Sequence, residues 1–581
     1  MEDNSLAPIA LLIDSLRSQD AAQRLSSVKR LKTISIALGE ERTRRELIPF
    51  VNESVDDEDE ILLALAEELG DFVPLVGGAQ HAHFLLPPLE SLATVDETVV
   101  RERAVASICS VTAQMPPPSV QEHLLPLLQR LVGREWPARV SACKLFSTAY
   151  PPAQEPSRAE LRAAFLKLCH DETPMVRRAA AQALAPFAET LEPQHIREDI
   201  LPAFVDLTRD DQDSVRLIAV EAAGALAKVL SREEVAAAVM PAAVQCSQDK
   251  SWRVRYNAVQ QLPALAEALG ADTASSQLLP LYLQLLRDNE PEVRTAATSK
   301  LSAFARLIPV PDVTSQLLPR VKEIGGDSNQ MVRSALATVV MELAPILGKG
   351  DTVEQLLPLF LTLLKDEWPD VRLAIIGKLQ AVNQVIGIEL LAQTLLPAVE
   401  DLATDKHWRV RQAIIEHTPM LATQLGADLF QQKLGKQCML WLQDSVYSIR
   451  EAAIHVLQAV AKDFGSDWAR DHIVPQVLAL AGSDNYLHRM TVLSAIGALA
   501  GCVSKDVVHN NMLPAVVACC KDRVPNVRFN AAKVLQQLAV LSDPPAVTQT
   551  IRPTLQELAS GDGDSDVRFY SAAALAAVAA P

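Results

Sequence analysis

Residues Val353 to Val382 read VEQLLPLFLTLLKDEWPDVRLAIIGKLQAV, and this stretch decides the fold. Val353, Leu356, Leu357, Phe360, Leu361 and Leu364 recur at helical spacing and form a wide apolar stripe. Asp366-Glu367-Trp368-Pro369 then breaks the pattern. Beyond the break, Val371, Ala374, Ile375, Leu379 and Val382 form one face of a second helix. Pro369 falls in the first turn of that helix, where its missing N–H costs little. Pro358 falls inside the first helix, where it removes a backbone bond and is expected to kink it. A helix pair of this kind has an apolar face that it cannot bury alone.

The pair is one unit of a series. Arg372 belongs to a set that runs Arg101, Arg139, Arg177, Arg216, Arg255, Arg294, Arg333, Arg372, Arg411, Arg450, Arg489, Arg528 and Arg568, in steps of 38 to 40 residues. Extending the phase backwards reaches Leu62 and Arg24, so fifteen slots hold fourteen arginines. Six residues before the slot stands Asp in eleven of the fifteen, among them Asp171, Asp210, Asp249, Asp366, Asp405 and Asp444. Fourteen before it stands Pro in nine, and Pro also stands three before it at 174, 291, 369 and 525. A fixed period of this length marks stacked helix pairs sharing one elongated core. The repeated Asp and Arg are expected to form a ladder along the inner surface; the alternative is that each Asp only ends a helix locally.

Composition agrees. The chain is 49% hydrophobic but only 4% aromatic, so Ala, Leu, Val and Ile must build the core, which suits closely packed helices. The net charge of −17 shows no basic footprint for nucleic acid, and makes adhesion to anionic membranes equally unexpected. Met1-Glu2-Asp3-Asn4 has neither the charge nor the apolar run of a secretory leader. No apolar run is expected to reach the ~18 residues of a membrane span. Eight cysteines form no CxxC, which reads as reduced intracellular thiols.

A two-helix unit of this period with this Pro, Asp and Arg resembles the HEAT repeat. The expected fold is therefore all-α: an alpha-alpha superhelix, or solenoid, of 15 HEAT repeats in a horseshoe. Longer strings resemble a narrower family, the scaffold (A, 65 kDa regulatory) subunits of protein phosphatase 2A. They include Glu41-Arg42-Thr43-Arg44, Asp57-Glu58-Asp59-Glu60, Leu85-Leu86-Pro87-Pro88-Leu89-Glu90, Thr173-Pro174-Met175-Val176-Arg177-Arg178, Asp249-Lys250-Ser251-Trp252-Arg253-Val254-Arg255, Trp408-Arg409-Val410-Arg411 and Asn485-Tyr486-Leu487-His488-Arg489. The chain departs in a short connection from Ile308 to Asp312 and an Ala-rich last helix.

The resemblance implies a non-catalytic scaffold in the cytoplasm, with some in the nucleus. It implies a regulatory-subunit half over residues 5–313 (repeats 1–8), a central segment over 314–391, and a catalytic-subunit half over 392–581 (repeats 11–15). It implies that Pro174, Arg178, Ser251, Trp252 and Arg253 meet an exchangeable regulatory B-type subunit. It implies that His407, Trp408, Arg409, Tyr447, Tyr486 and Leu487 meet the phosphatase catalytic subunit. Asp57, Glu58 and Glu60, in the acidic run from Asp56, are candidates for basic residues of a regulatory partner, against a plain solvated loop. Four of six tryptophans, Trp136, Trp252, Trp368 and Trp408, stand three or four residues before the slot, either as interface anchors or as caps over their own repeats.

No cofactor and no catalytic residue is expected. His81-x-His83, Cys169-His170 and Cys519-Cys520 lack partners at zinc-site spacing. Asp562-x-Asp564-x-Asp566 lacks the Gly and Glu of a calcium loop and reads as the turn of repeat 15. GxxxxGK[ST], GxSxG and the metallophosphatase strings GDxHG and GNHE are absent. The alternative function is another acidic HEAT adaptor such as a nuclear transport receptor.

Overall fold

The computed structural model describes residues 14–53, 56–386 and 391–579. The residues read for a leader, the expected start of the first repeat at residue 5, and residues 580–581 lie outside these. Among the described residues the elements are helices and their turns, and the fold is an all-α solenoid of HEAT repeats. It divides into two compact units, through Asp312 and from Val313 onward.

Each repeat folds as its pattern dictates. In repeat 7 the first helix ends at Ser247, a short turn follows, and the second helix runs Trp252–Leu269. Val254, Ala258, Leu262 and Leu265 on one face of that helix are fully buried. Gly270 then adopts φ 77°, and Gly426 does the same at φ 75° after the helix Trp408–Leu425. A side chain at either position would be strained, so glycine sets the corner into the next repeat. Pro174, Pro291, Pro369 and Pro525 each open a second helix, where the sequence placed them.

The prolines inside the first helices sit just after a widened turn. The turn before Leu357-Pro358 widens into a π turn over Thr352–Leu356, with the Leu357 N–H reaching back to the Thr352 carbonyl. The same wide turn precedes Pro126, Pro202, Pro241, Pro280 and Pro514. It absorbs the clash that the proline ring would force on the carbonyl four residues back. It also occurs over Gln431–Gly435, which Lys436 and Gln437 follow, so the repeat geometry favours it even without proline.

One stretch, Gln330–Leu364, is long and apolar enough by composition to cross a membrane, contrary to the expectation that none would be. It is not one straight helix: Gly348 at φ 76°, ψ 174° breaks it, and most of its apolar window is buried in the solenoid core.

The low aromatic content is concentrated. Phe146, Phe165 and Phe187 pack with ring centroids 4.6–5.7 Å apart, and Tyr150 meets Phe187 edge-on at 5.5 Å. Trp441, which the repeat phase does not mark, is buried and donates its indole N–H to the Ala403 carbonyl at 3.0 Å.

Candidate functional site: the ridge of turns

The turns between paired helices are built on a shared frame. The slot arginine donates through Nη1 to the carbonyl six residues back in its own turn, as Arg216 does to Asp210 (2.8 Å) and Arg411 to Asp405 (2.8 Å). Its Nε and Nη2 face the carboxylate of the following repeat, 32 to 34 residues on. In the first unit the pairs are Arg24–Asp57, Arg139–Asp171, Arg177–Asp210, Arg216–Asp249 and Arg255–Asp288. In the second they are Arg333–Asp366, Arg372–Asp405, Arg411–Asp444, Arg489–Asp522 and Arg528–Asp562. Apart from Asp57, which accepts from Glu58, the same aspartates accept a backbone N–H two residues on, for example Trp368 N–H to Asp366 at 2.9 Å and His407 N–H to Asp405 at 2.8 Å. The ladder therefore forms, and the Asp does more than end a helix locally: it closes its own turn and binds the preceding repeat. The ladder is not an exposed inner lining, because in Arg333–Asp366 each side chain is only 8% exposed.

Repeat 2 corrects the phase. Arg24 pairs with Asp57 rather than Asp56, so the phase slips by one residue there, and Asp57 is held by a bidentate contact of 2.7–3.2 Å. Glu58 and Glu60 remain exposed beside it.

Electrostatics follow from this frame. At Asp249, Asp288, Asp366 and Asp522, burial pushes the carboxyl up, but the arginine hydrogen bond, the backbone N–H and the cationic charge outweigh it and hold it below the ordinary 3.8. At Asp562 the Arg528 hydrogen bond is the largest influence and acts in the same direction. A carboxylate with a lowered folded pKa stabilises the fold above its unfolded pKa, about 3.9. That stability is lost as pH falls through the folded value. The urea midpoint of the chain is therefore expected to be flat from pH 7 to pH 5 and to fall steeply below about pH 4. A midpoint unchanged at pH 3 would show that the ladder carries no stability.

On this frame the second helix always starts at the same place, and its first residue points out of the turn. Trp136, Pro174, Trp252, Trp408, Tyr447 and Tyr486 all occupy that position. Tyr447 is 65% and Tyr486 41% exposed. Trp252 and Trp408 are half-buried, each under the guanidinium of its neighbour: Arg253 lies 5.0 Å from the Trp252 ring and Arg409 lies 4.9 Å from Trp408. Repeats 7 and 11 thus present the same flat indole–guanidinium plate, at once apolar and cationic. Ser251 beside the first plate donates to Asp213 at 2.9 Å. His407 beside the second has a buried Nδ1 without a hydrogen-bond partner.

Ser251, Trp252 and Arg253 share one turn, with Pro174 and Arg178 two repeats before. His407, Trp408 and Arg409 share another, followed by Tyr447 and then by Tyr486 and Leu487. The two sets lie in different units. Trp136 lies under the Arg101 guanidinium at 5.8 Å, and Trp368 is exposed, with its indole N–H on Glu367 at 3.1 Å. Met175 and Met331, 51% and 59% exposed, were missed by the sequence reading. They stand two residues before the slot, the position of Arg253, Arg409 and Leu487, and following that phase would have found them.

Among the described residues no cluster of three or more His, Cys, Asp or Glu could hold a metal ion. Asp562 and Asp564 serve the repeat-15 turn: Asp562 holds Arg528, and Asp564 accepts the N–H groups of Asp566 and Val567. Burial pushes the thiols of Cys169, Cys246, Cys438 and Cys520 up to about 12, which leaves them unreactive.

Comparison with known proteins matches this frame. Residues 271–348 match the family described as PPP2R1A-like HEAT repeat, residues 356–386 and 512–541 match the HEAT repeat, and residues 158–275 match the sister chromatid cohesion protein PDS5 family. The serine/threonine-protein phosphatase PP2A 65 kDa regulatory subunit of Drosophila melanogaster is 57% identical over 195 residues, 33% of each chain. The probable serine/threonine-protein phosphatase PP2A regulatory subunit of Caenorhabditis elegans is 51% identical over 199 residues, 34% of each chain. The matched stretch spans about a third of the length of these relatives, and over that third the resemblance drawn from the sequence is borne out. Among solved structures, Kap121p bound to Pho4p superposes with a TM-score of 0.61 at 14% identity, covering 97% of this chain and 60% of that one. Importin beta gives 0.55 at 14% identity, covering 100% and 81%. At that identity the likeness shows the helical solenoid fold alone.

Proposed function

We propose that this chain is the non-catalytic scaffold of a serine/threonine protein phosphatase 2A holoenzyme. On this reading the ridge of repeats 11–15 holds the catalytic subunit, while the ridge of repeats 1–8 holds one exchangeable regulatory subunit. The observation that carries it is the repeated indole–guanidinium plate, Trp252–Arg253 in one unit and Trp408–Arg409 in the other. Tryptophan and arginine are the side chains that most often anchor protein interfaces, and two separated plates on one chain suit two partners. The relatives at 51–57% identity, named as regulatory rather than catalytic subunits, support the same reading. Binding both partners to one chain would replace free encounter by a high effective concentration and a fixed orientation. The expected compartments are the cytoplasm and nucleus.

The ridge side chains offer flat apolar and cationic surface, the means of binding rather than of bond-breaking. A transport-receptor reading has only the fold likeness behind it.

The test is binding of a phosphatase 2A catalytic subunit by the full chain and by two variants. Trp408→Ala is expected to weaken binding by about thirtyfold, the effect of losing an anchor worth about 2 kcal/mol, and Trp252→Ala to leave it unchanged. The roles are expected to exchange when a regulatory subunit is the probe. Equal loss in both variants with the catalytic subunit would contradict the assignment of the two ridges.

A further inference from the structure

The ladder has a rule, and two internal arginines break it. Arg101 has Gly133, and Arg450 has Ser483, where the next repeat should supply an Asp. At Arg101 the free edge is met by a side chain of its own helix, Thr98, which has no counterpart at Arg450. The Trp136 ring lies 5.8 Å from the guanidinium, Nη2 donates to Thr98 Oγ1 at 3.1 Å, and Nη1 donates to the Val95 carbonyl.

At Arg450 that edge is not met. The residue is 6% exposed. Its Nη1 makes the usual bonds within its own turn, to the Asp444 and Ser445 carbonyls at 2.8 and 3.2 Å. Its Nε is buried without a hydrogen-bond partner, and among the described residues no carboxylate lies within ion-pair distance. The Tyr447 ring lies 5.6 Å from the guanidinium but supplies no carboxylate. Ser483 is too short to take the place of Asp, and its hydroxyl lies 3.1 Å from His488 Nδ1. Glu451 is near but takes the Tyr447 hydroxyl at 3.3 Å. Arg450 lines a groove of about 320 Å³, with Tyr447, Ile454, Leu487, Met490 and Thr491 among its other walls.

A guanidinium buried without its planar acceptor is unfavourable, and its free edge matches a carboxylate bidentately. Ten rungs in this chain show that the site geometry suits the carboxylate of an acidic side chain. Apolar walls fit the stem of such a side chain, while Glu451, which also lines the groove, repels a doubly charged phosphate more strongly than a singly charged carboxylate. Tyr447 and Leu487 belong both to this groove and to the ridge of repeats 11–15, so whatever docks on the ridge covers the groove.

We propose that Arg450 is an open rung which holds, in trans, an aspartate or glutamate side chain of the partner docked on repeats 11–15. This rests on the assignment of that ridge to the phosphatase catalytic subunit. The partner then completes the ladder at a place where, among the described residues, no carboxylate of this chain does so.

Ser483→Asp tests the idea in the full chain, because it supplies the missing carboxylate in cis. Hydrogen exchange in the turns around Asp444–Tyr447 and Ser483–Tyr486 is expected to slow, while affinity for a phosphatase 2A catalytic subunit falls about tenfold or more. Ser483→Asn, similar in size but uncharged, is expected to stay within about twofold of the unsubstituted chain. Unchanged affinity in Ser483→Asp, or no gain in exchange protection, would overturn the proposal while leaving the ridge assignment intact. Failure of the unsubstituted chain to bind the catalytic subunit would overturn both.

Discussion

Asp366→Ala is expected to destabilise the second unit by about 3–5 kcal/mol, the cost of removing one partner of a buried pair and leaving Arg333 only the exposed Glu367 at 3.6 Å. The substitution removes three contacts at once. Arg333 loses its Nε and Nη2 acceptors at 2.6 and 3.0 Å, and the Trp368 N–H loses the acceptor that closes its own turn. Both side chains of the pair are 8% exposed, so water cannot readily replace what is lost. Asp366→Asn, which keeps an oxygen for the turn but drops the charge, is expected to cost less. Arg333→Met with Asp366→Ala should recover much of the loss, because the orphaned charge goes with its partner. Since repeats contact only their neighbours, the damage should be local. Hydrogen exchange should accelerate over residues 330–376 and stay near normal in distant repeats. A loss under about 1 kcal/mol would place the ladder with ordinary surface ion pairs.

Phe187→Ala is expected to cost a similar amount, about 3–5 kcal/mol, for a different reason. Phe187 is 1% exposed and touches the rings of Phe146, Tyr150 and Phe165. Most of the core is Ala, Leu and Val, so no large flexible side chain stands ready to fill the space. Tyr150 is also tied down: its hydroxyl donates to Glu192 at 2.9 Å and accepts from Arg162 at 2.8 Å. Chemical denaturation of Phe187→Ala beside Phe187→Leu should show a much smaller loss in the leucine variant. Equal losses would mean that the site collapses around either side chain and that the ring contacts add little.

These two expectations differ in how far the sequence foretold them. The arginine ladder was legible because its period repeats thirteen times after Leu62, and a period survives local noise. Its partner in space was harder to read, because Arg333 meets Asp366 only once the superposition of adjacent repeats is known. The one-residue slip at Asp57 shows the limit of counting alone. The proline inside most first helices is legible in the sequence, whereas the wide turn that takes up its strain is not, and the turn at Gln431–Gly435 shows that the stacking geometry favours it even without proline. Trp441 carried no signal that separates a core tryptophan from a ridge tryptophan except its phase, which is wrong for the ridge. The plates at Trp252 and Trp408 were visible as repeated Trp-Arg-Val-Arg strings, whereas the open rung at Arg450 was written as a single Ser in place of Asp at 483. Such a departure becomes informative only when the structure shows a groove above it.

One chain is expected to hold two partners at once, one on each ridge. The most direct test is the mass of the species formed when the full chain is mixed with two proteins, a regulatory B-type subunit plus the catalytic subunit of phosphatase 2A, measured by light scattering after size exclusion. A single species with the mass of one copy of each is expected, formed in either order of addition. Displacement of one partner by the other, or binary complexes that never combine, would contradict it.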